Sequence, residues 1–290
     1  MQSLESVRPF IENQIFKLEI TPQENFQKLH LDYAAEKYRE TDLAKLIRDC
    51  VEYFALTPNE FEEFRNTGNL IEARRVAWSR ISDAKKNNKG DYGELLLFLA
   101  LYFFYPSNTP ERFVTKVRLR SSIRDQVKGF DCAHFTVENE DICLWLGEAK
   151  FHNSMSNAIA GAIDSLNEHI EHKYLENEFR ILGANIEANR GISEAHLQKL
   201  KNTFKGKSID RIKIKIPILL TYDCKTIRSY KTINDQLIAK LKQDLEKNRK
   251  NIESKLPALP TNITLTFILF PFHAVDTVKS FLEQVEELLR

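Results

Sequence analysis

The chain has 290 residues, 42 Lys+Arg against 41 Asp+Glu and a formal net charge of +1; 42% of its residues are hydrophobic and 29% charged. These proportions belong to a globular chain and exclude disordered, collagen-like and low-complexity classes. The near-zero charge excludes a uniformly basic, histone-like nucleic-acid binder, although a local basic patch remains compatible with it. At roughly 150 residues per domain, the length predicts one large domain or two modest ones.

The longest apolar run, Leu95 to Tyr105, falls well short of the roughly 20 residues that a membrane span requires, and it reads as a buried helix. The N-terminal stretch MQSLESVRPFIENQ carries acids and has no apolar signal core, which disfavours secretion. Cys50, Cys132, Cys143 and Cys224 lack CxxC spacing, so a reducing, cytoplasmic setting without a thiolate zinc site is expected.

In chain order, an alternation around Phe16 to Ile20 suggests a short strand. Leu43, Leu46, Ile47 and Val51 recur at helical spacing after Thr41, a candidate cap for a helix over 41–54. A second helix is expected after Pro58 and a third over 71–86. The polar run KKNNKGD at 85–91 marks a boundary between an N-terminal, mostly helical region (1–90), a possible partner interface, and a main domain (91–290). Beyond it come a helix at 92–105 and strands at 113–120, 130–137 and 142–150. Residues 153–179 read as mainly helical, with a further helix ending at Phe204. A strand at 213–222, a helix at 227–253, a strand at 263–272 and a helix at 275–290 complete the order. That order predicts an α/β fold with a mixed central sheet flanked by helices.

The chemistry concentrates in Gly129 to His152, GFDCAHFTVENEDICLWLGEAKFH. With Asn139-Glu140 as a two-residue hairpin turn, one face pairs Val137 with Ile142, Phe135 with Leu144, Ala133 with Leu146, and then Asp131 with Glu148. The other face pairs Glu138 with Asp141, Thr136 with Cys143, His134 with Trp145 and Cys132 with Gly147. A slip of one residue would turn one strand over and lose the apolar match. Two carboxylates directly opposed destabilise a sheet unless something compensates, and a hard divalent cation such as Mg²⁺ takes such oxygen ligands. Lys150 falls on the same face as Glu148, where an ammonium can orient a water or offset charge on a phosphate. Glu94, in the first turn of the most hydrophobic helix, suits the positive end of the helix dipole and is a candidate third carboxylate. His152 continues the same alternation and reads as structural or exposed. Ser154, Ser156 and Asn157 read as caps of the following helix or as phosphate contacts. Cys132, Cys143, His134 and Trp145 read as neighbours packed beneath a helix.

An acid on a helix, then a three-stranded meander with Asp131 on its second strand and Glu148-Ala149-Lys150 on its third, then a helix, resembles the PD-(D/E)XK nuclease core, with Phe130 where that core usually has proline. More closely, GDYGELLLFLAL, KVRLRSSIRDQVKGFDCAHF and LWLGEAKFHNSMSNAI resemble the HamA family, the nuclease subunits of Hachiman anti-phage defence systems. The resemblance implies a Mg²⁺- or Mn²⁺-dependent deoxyribonuclease with Glu94, Asp131, Glu148 and Lys150 as catalytic residues. Asp131, Glu148 and Glu94 would hold the metal. It also implies a heterodimer with a HamB-like superfamily 2 helicase that controls cleavage.

Charge distribution adds a nucleic-acid reading. Residues 112–128 carry six bases and one acid, with Lys116, Arg118 and Arg120 alternating onto one strand face; residues 199–215 carry seven bases and one acid. Both are candidate contacts for a phosphate backbone. The first 66 residues hold 13 acids and 8 bases, a surface suited to a basic partner. The expected function is therefore a defence nuclease of little sequence specificity. The rival readings are a non-catalytic DNA-binding or helicase-regulating subunit and a stand-alone restriction-type endonuclease.

Overall fold

A computed structural model describes residues 16–17, 25–82, 90–104, 111–115, 130–138, 141–184, 194–206 and 211–289. Two small ladders open it. β1 (Phe16–Lys17) pairs antiparallel with β3 (His30–Leu31), and β4 (Tyr33–Ala34) pairs with β5 (Lys37–Tyr38). The latter turn passes through Ala35 and Glu36 at φ 48° and 63°, the left-handed backbone that a two-residue hairpin demands. Three helices follow: α1 (Glu40–Ala55), α2 (Pro58–Asn66) and α3 (Leu70–Ser82). α1 buries Leu43, Ile47, Val51 and Phe54 along one stripe, as the spacing predicts. α2 starts with a capping box: Glu60 donates its N–H to Thr57 Oγ1, and the Thr57 N–H reaches Glu60 Oε2 at 2.8 Å. Arg80 of α3 binds the same carboxylate.

The centre is a six-stranded mixed sheet. β6 (Glu111–Thr115), β7 (Cys132–Glu138) and β8 (Asp141–Phe151) form an antiparallel meander. β9 (Lys213–Asp223) runs parallel to β8, β10 (Ile263–Phe272) parallel to β9, and β2 (Phe26–Lys28) parallel to β10, giving the order β2-β10-β9-β8-β7-β6. β9 and β10 are almost wholly buried, which is why they read as unbroken apolar runs rather than alternating ones. α4 (Gly90–Phe104), α5 (Met155–His169), α6 (His172–Ala184), α7 (Glu194–Gly206), the single turn α8 (Lys225–Arg228), α9 (Asp235–Glu253) and α10 (Val275–Leu289) complete the chain. Among the described residues no helix is long and apolar enough to cross a membrane.

α4 and α5 lie on opposite faces of the sheet. A Cβ on Gly93 of α4 would stand 3.0 Å from the Phe151 Cβ and 3.3 Å from the Ala149 Cβ. One on Gly161 of α5 would stand 3.5 Å from Lys150 Cδ, on the alternate face of the same strand. α4 is buried on almost every side because its neighbours surround it, from the sheet to Phe54 of α1.

Three expectations shift. Thr41 does not cap α1: the cap position is Arg39, with no side-chain hydrogen bond, and Glu40 instead turns inward to accept the Ala274 N–H at 2.8 Å. The stretch 227–253 is two helices, because Asn234 starts a new one by accepting the Leu237 N–H at 2.9 Å. The helical stretch 153–179 breaks at Ile170–Glu171 between α5 and α6. The expected boundary at 85–91 falls mostly outside the described residues. On either side of it the two regions share the sheet through β2 and one hydrophobic core. Lys28 of β2 is fully buried, its ammonium donating to the Leu241 carbonyl at 2.8 Å, and burial pushes its pKa down to about 8.

Glu40 ties α1 to the turn after β10, and burial holds its carboxyl up at about 7 from an ordinary 4.5, against the pull of the Ala274 N–H and Arg228. A carboxyl that keeps its proton longer in the folded state adds stability at acid pH, and that increment is lost as pH rises through about 7. Glu40→Gln should therefore flatten the stability–pH curve by roughly 3 kcal/mol between pH 4.5 and 7 relative to wild type. Urea unfolding of both proteins at pH 4.5 and 8 measures this, and parallel curves would refute the assignment.

Candidate active site

The hairpin register places the site. β7 and β8 pair Val137 with Ile142, Phe135 with Leu144, Ala133 with Leu146 and Cys132 with Gly147, the expected register as far as the ladder runs; the expected Asp131–Glu148 pair lies beyond its end. Phe135 and Leu144 are fully buried on the carboxylate face. The turn at 139–140 lies outside the described residues. Beyond Cys132 the ladder changes character. Asp131 donates its N–H to the Gly147 carbonyl at 2.9 Å, and its Oδ2 accepts the Ala149 N–H at 2.8 Å. It therefore grips the two residues that flank Glu148, and a carboxylate stands where a strand carbonyl would otherwise continue the ladder.

Glu148 is buried, and its charge is offset locally. Lys150 Nζ donates to its Oε1 at 2.6 Å and to Ser165 Oγ of α5 at 2.7 Å. Its other oxygen, Oε2, is buried and accepts no hydrogen bond among the described residues, with His169 Nδ1 at 3.5 Å. An ammonium and a main-chain N–H thus answer the carboxylate repulsion that the sequence left to a cation.

Glu94, also buried, enters from α4 on the opposite face. All three acids nevertheless act on one atom: the Cys132 thiol is pushed far up, first by burial, then by the charges of Asp131, Glu94 and Glu148. A Cβ on Gly147 would meet the Cys132 Sγ at 2.5 Å and Leu97 Cδ2 at 2.8 Å, so only glycine lets α4 settle this close behind Glu148. Among the described residues no three His, Cys, Asp or Glu side chains stand together as a ready metal cage, so the three acids are not preassembled around one point.

Several contributors escaped the sequence reading. His169 stacks on Tyr174 (centroids 4.5 Å, 24°) and packs against Phe130 at 4.8 Å. Glu178 of α6 accepts the Phe130 N–H at 3.3 Å, fixing the backbone just before Asp131. The Tyr174 phenol is pushed up by burial and by Glu178, Glu148, Glu168 and Asp131, so the pocket is strongly acidic. Nothing in the sequence around them marked these residues, whose partners lie on β8 and the residues just before β7.

Ser154 caps α5, accepting the Asn157 N–H, and His152 is exposed. Burial and then the cations Lys279 and Lys150 push the His152 pKa down. Cys132, Cys143, His134 and Trp145 are buried on the α4 face, with Phe98 stacked on His134. Lys116, Arg118 and Arg120 lie outside the described residues. Lys215 sits over Trp145 at 4.8 Å, on the face opposite Glu148.

The fold and site together define a mixed α/β protein with an acid–acid–lysine constellation where a hairpin stops pairing. A family model for HamA matches residues 8–285. The chain belongs to the HamA family, and with it to the proteins associated with Hachiman defence. No curated protein matches the sequence.

Removing Lys150 should expose the energetics of the pair. Lys150→Met leaves Glu148 buried beside an apolar chain and should lower unfolding free energy by about 3 kcal/mol, while Glu148→Gln/Lys150→Met should recover most of it. Chemical denaturation of the four proteins in the cycle, without metal, measures the coupling; additive effects would rule it out.

Proposed function

We propose that the chain is the nuclease effector of its defence system, a Mg²⁺- or Mn²⁺-dependent enzyme that hydrolyses DNA phosphodiester bonds with little sequence specificity. The observation that carries this reading is Asp131 gripping both neighbours of Glu148 while Lys150 holds Glu148 itself. The order α4-β6-β7-β8-α5-β9, with α6 and α7 inserted before β9 and β9 parallel to β8, supports a PD-(D/E)XK core.

The donor set suits a hard divalent ion. Its atoms are carboxylate oxygens, Glu148 Oε2 is buried without a hydrogen bond among the described residues, and two carboxylates with waters are a common Mg²⁺ site. Asp131 and Glu148 would hold the ion and Glu94 would complete the set. Bound there, it would supply Lewis acidity and a more acidic water. Lys150 spends two of its three N–H bonds on Glu148 and Ser165, leaving one to orient the attacking water or to meet charge growing on the phosphate. DNA is held by backbone contacts, with Lys116, Arg118 and Arg120 as the proposed ligands.

A nuclease with little sequence preference needs a brake. A superfamily 2 helicase partner bound as a heterodimer is the proposed one, docking on the acidic N-terminal region. It keeps the subunit silent on intact DNA and exposes it when DNA ends are engaged.

The purified chain should convert supercoiled plasmid to nicked or linear forms with Mg²⁺ and not with EDTA. Glu148→Gln should cut about 100-fold more slowly or less, while its circular dichroism stays native. Added helicase should co-elute and suppress cutting until ATP and DNA ends are supplied. Normal cutting by Glu148→Gln would refute the site, and failure to co-elute would refute the control.

A further inference from the structure

α5 carries more of the site than a packing helix needs to. Gly161, Ser165 and His169 are spaced i, i+4, i+8 and form one row on its sheet-facing side. Successive members of such a row rise about 6 Å, close to the roughly 6.6 Å between Glu148 and Lys150, two residues apart on a strand. The row therefore runs in step with the pair. Gly161 leaves space beside the Lys150 stem, where an added Cβ would touch Cδ and Cε at 3.5 and 3.6 Å. Ser165 Oγ takes one Lys150 N–H at 2.7 Å. His169 Nδ1 stands 3.5 Å from Glu148 Oε2, its ring fixed by Tyr174 and Phe130.

We propose that Ser165 and His169 are positioning residues for the Lys150–Glu148 pair, acting as a two-point ruler on α5. Ser165 fixes where the ammonium points, and His169, packed 3.5 Å from Oε2 without a hydrogen bond to it, limits how the Glu148 carboxylate can turn. This rests on the nuclease reading for its consequence in catalysis, but the positioning itself has an independent readout. A lysine with that much rotamer freedom would otherwise sample several arrangements, and catalysis requires one.

Ser165→Ala and Ser165→Thr are compared in the full chain. One arm measures cleavage kinetics with Mg²⁺. The other measures, without metal or DNA, how fast Lys150 is acylated by an N-hydroxysuccinimide ester, read by peptide mass spectrometry. Ser165→Ala should melt at the wild-type temperature, lose about 10- to 100-fold in kcat with KM nearly unchanged, and label faster at Lys150; Ser165→Thr should restore both. His169→Asn, which keeps a donor near the Nδ1 position, should cut faster than His169→Phe, which keeps only the ring packing. Unchanged Lys150 labelling in Ser165→Ala, or His169→Phe outperforming His169→Asn, overturns the assignment. If the wild-type chain cuts no DNA, the labelling arm still decides the positioning, and only the nuclease reading falls.

Discussion

A buried carboxylate at the point where two strands stop pairing is the constraint around which the central region is arranged. Glu148 has left water, and its charge must be answered within reach. Lys150 answers it directly, Ser165 holds the Lys150 ammonium, and His169 approaches the carboxylate from the same helix. Asp131 adds a second negative charge close by and is tolerated because the Ala149 N–H points at it. Glycine appears where these groups need the helices close: Gly147 of β8 against α4, and Gly93 of α4 and Gly161 of α5 against β8. Among the described residues the balance leaves one oxygen of Glu148 buried without a hydrogen bond.

The hairpin was legible because both constraints on it were local. Alternation with period two and a two-residue turn allow a single register; it was extended to an Asp131–Glu148 pair, whereas the ladder stops one pair earlier, at Cys132 and Gly147, and Asp131 bonds the backbone of Gly147 and Ala149 instead. Strand β10 was legible to the residue, since an apolar run bounded by polar residues has few other readings. The α1 cap was not. Thr41 looks like a cap on local grounds, but Glu40 finds its partner at Ala274, more than two hundred residues away, and no sequence window contains that. Ser165 and His169 were invisible for a different reason. Each is an ordinary residue on an ordinary amphipathic helix until the strand beneath it is known. Within the basic stretch 199–215, Lys215 lies on the sheet face away from Glu148, a placement that charge alone does not reveal.

The family assignment and the geometry bear on different claims. Membership in the HamA family rests on a match along nearly the whole chain and ties the protein to Hachiman defence. The geometry shows that Lys150 binds the buried Glu148 carboxylate and that Asp131 binds the backbone on either side of Glu148, and the nuclease proposal rests on that arrangement.

The pairing of β2 with β10 has its own consequence for how the molecule is made. Phe26 stacks on Phe267 with ring centroids 5.1 Å apart, and Lys28 fastens to the helix that precedes β10. A ribosome delivers Phe26 early and Phe267 late, so this seam cannot close until almost everything between them has been synthesised. The loop closed is among the longest the chain offers, and contacts of that separation form slowly. Until then the outer side of β10 is a bare parallel edge, the kind of surface on which a neighbouring nascent chain can add a strand. The last piece to dock would thus be one of the first made, and the interval between the two is when this protein is most open to being captured by another copy of itself.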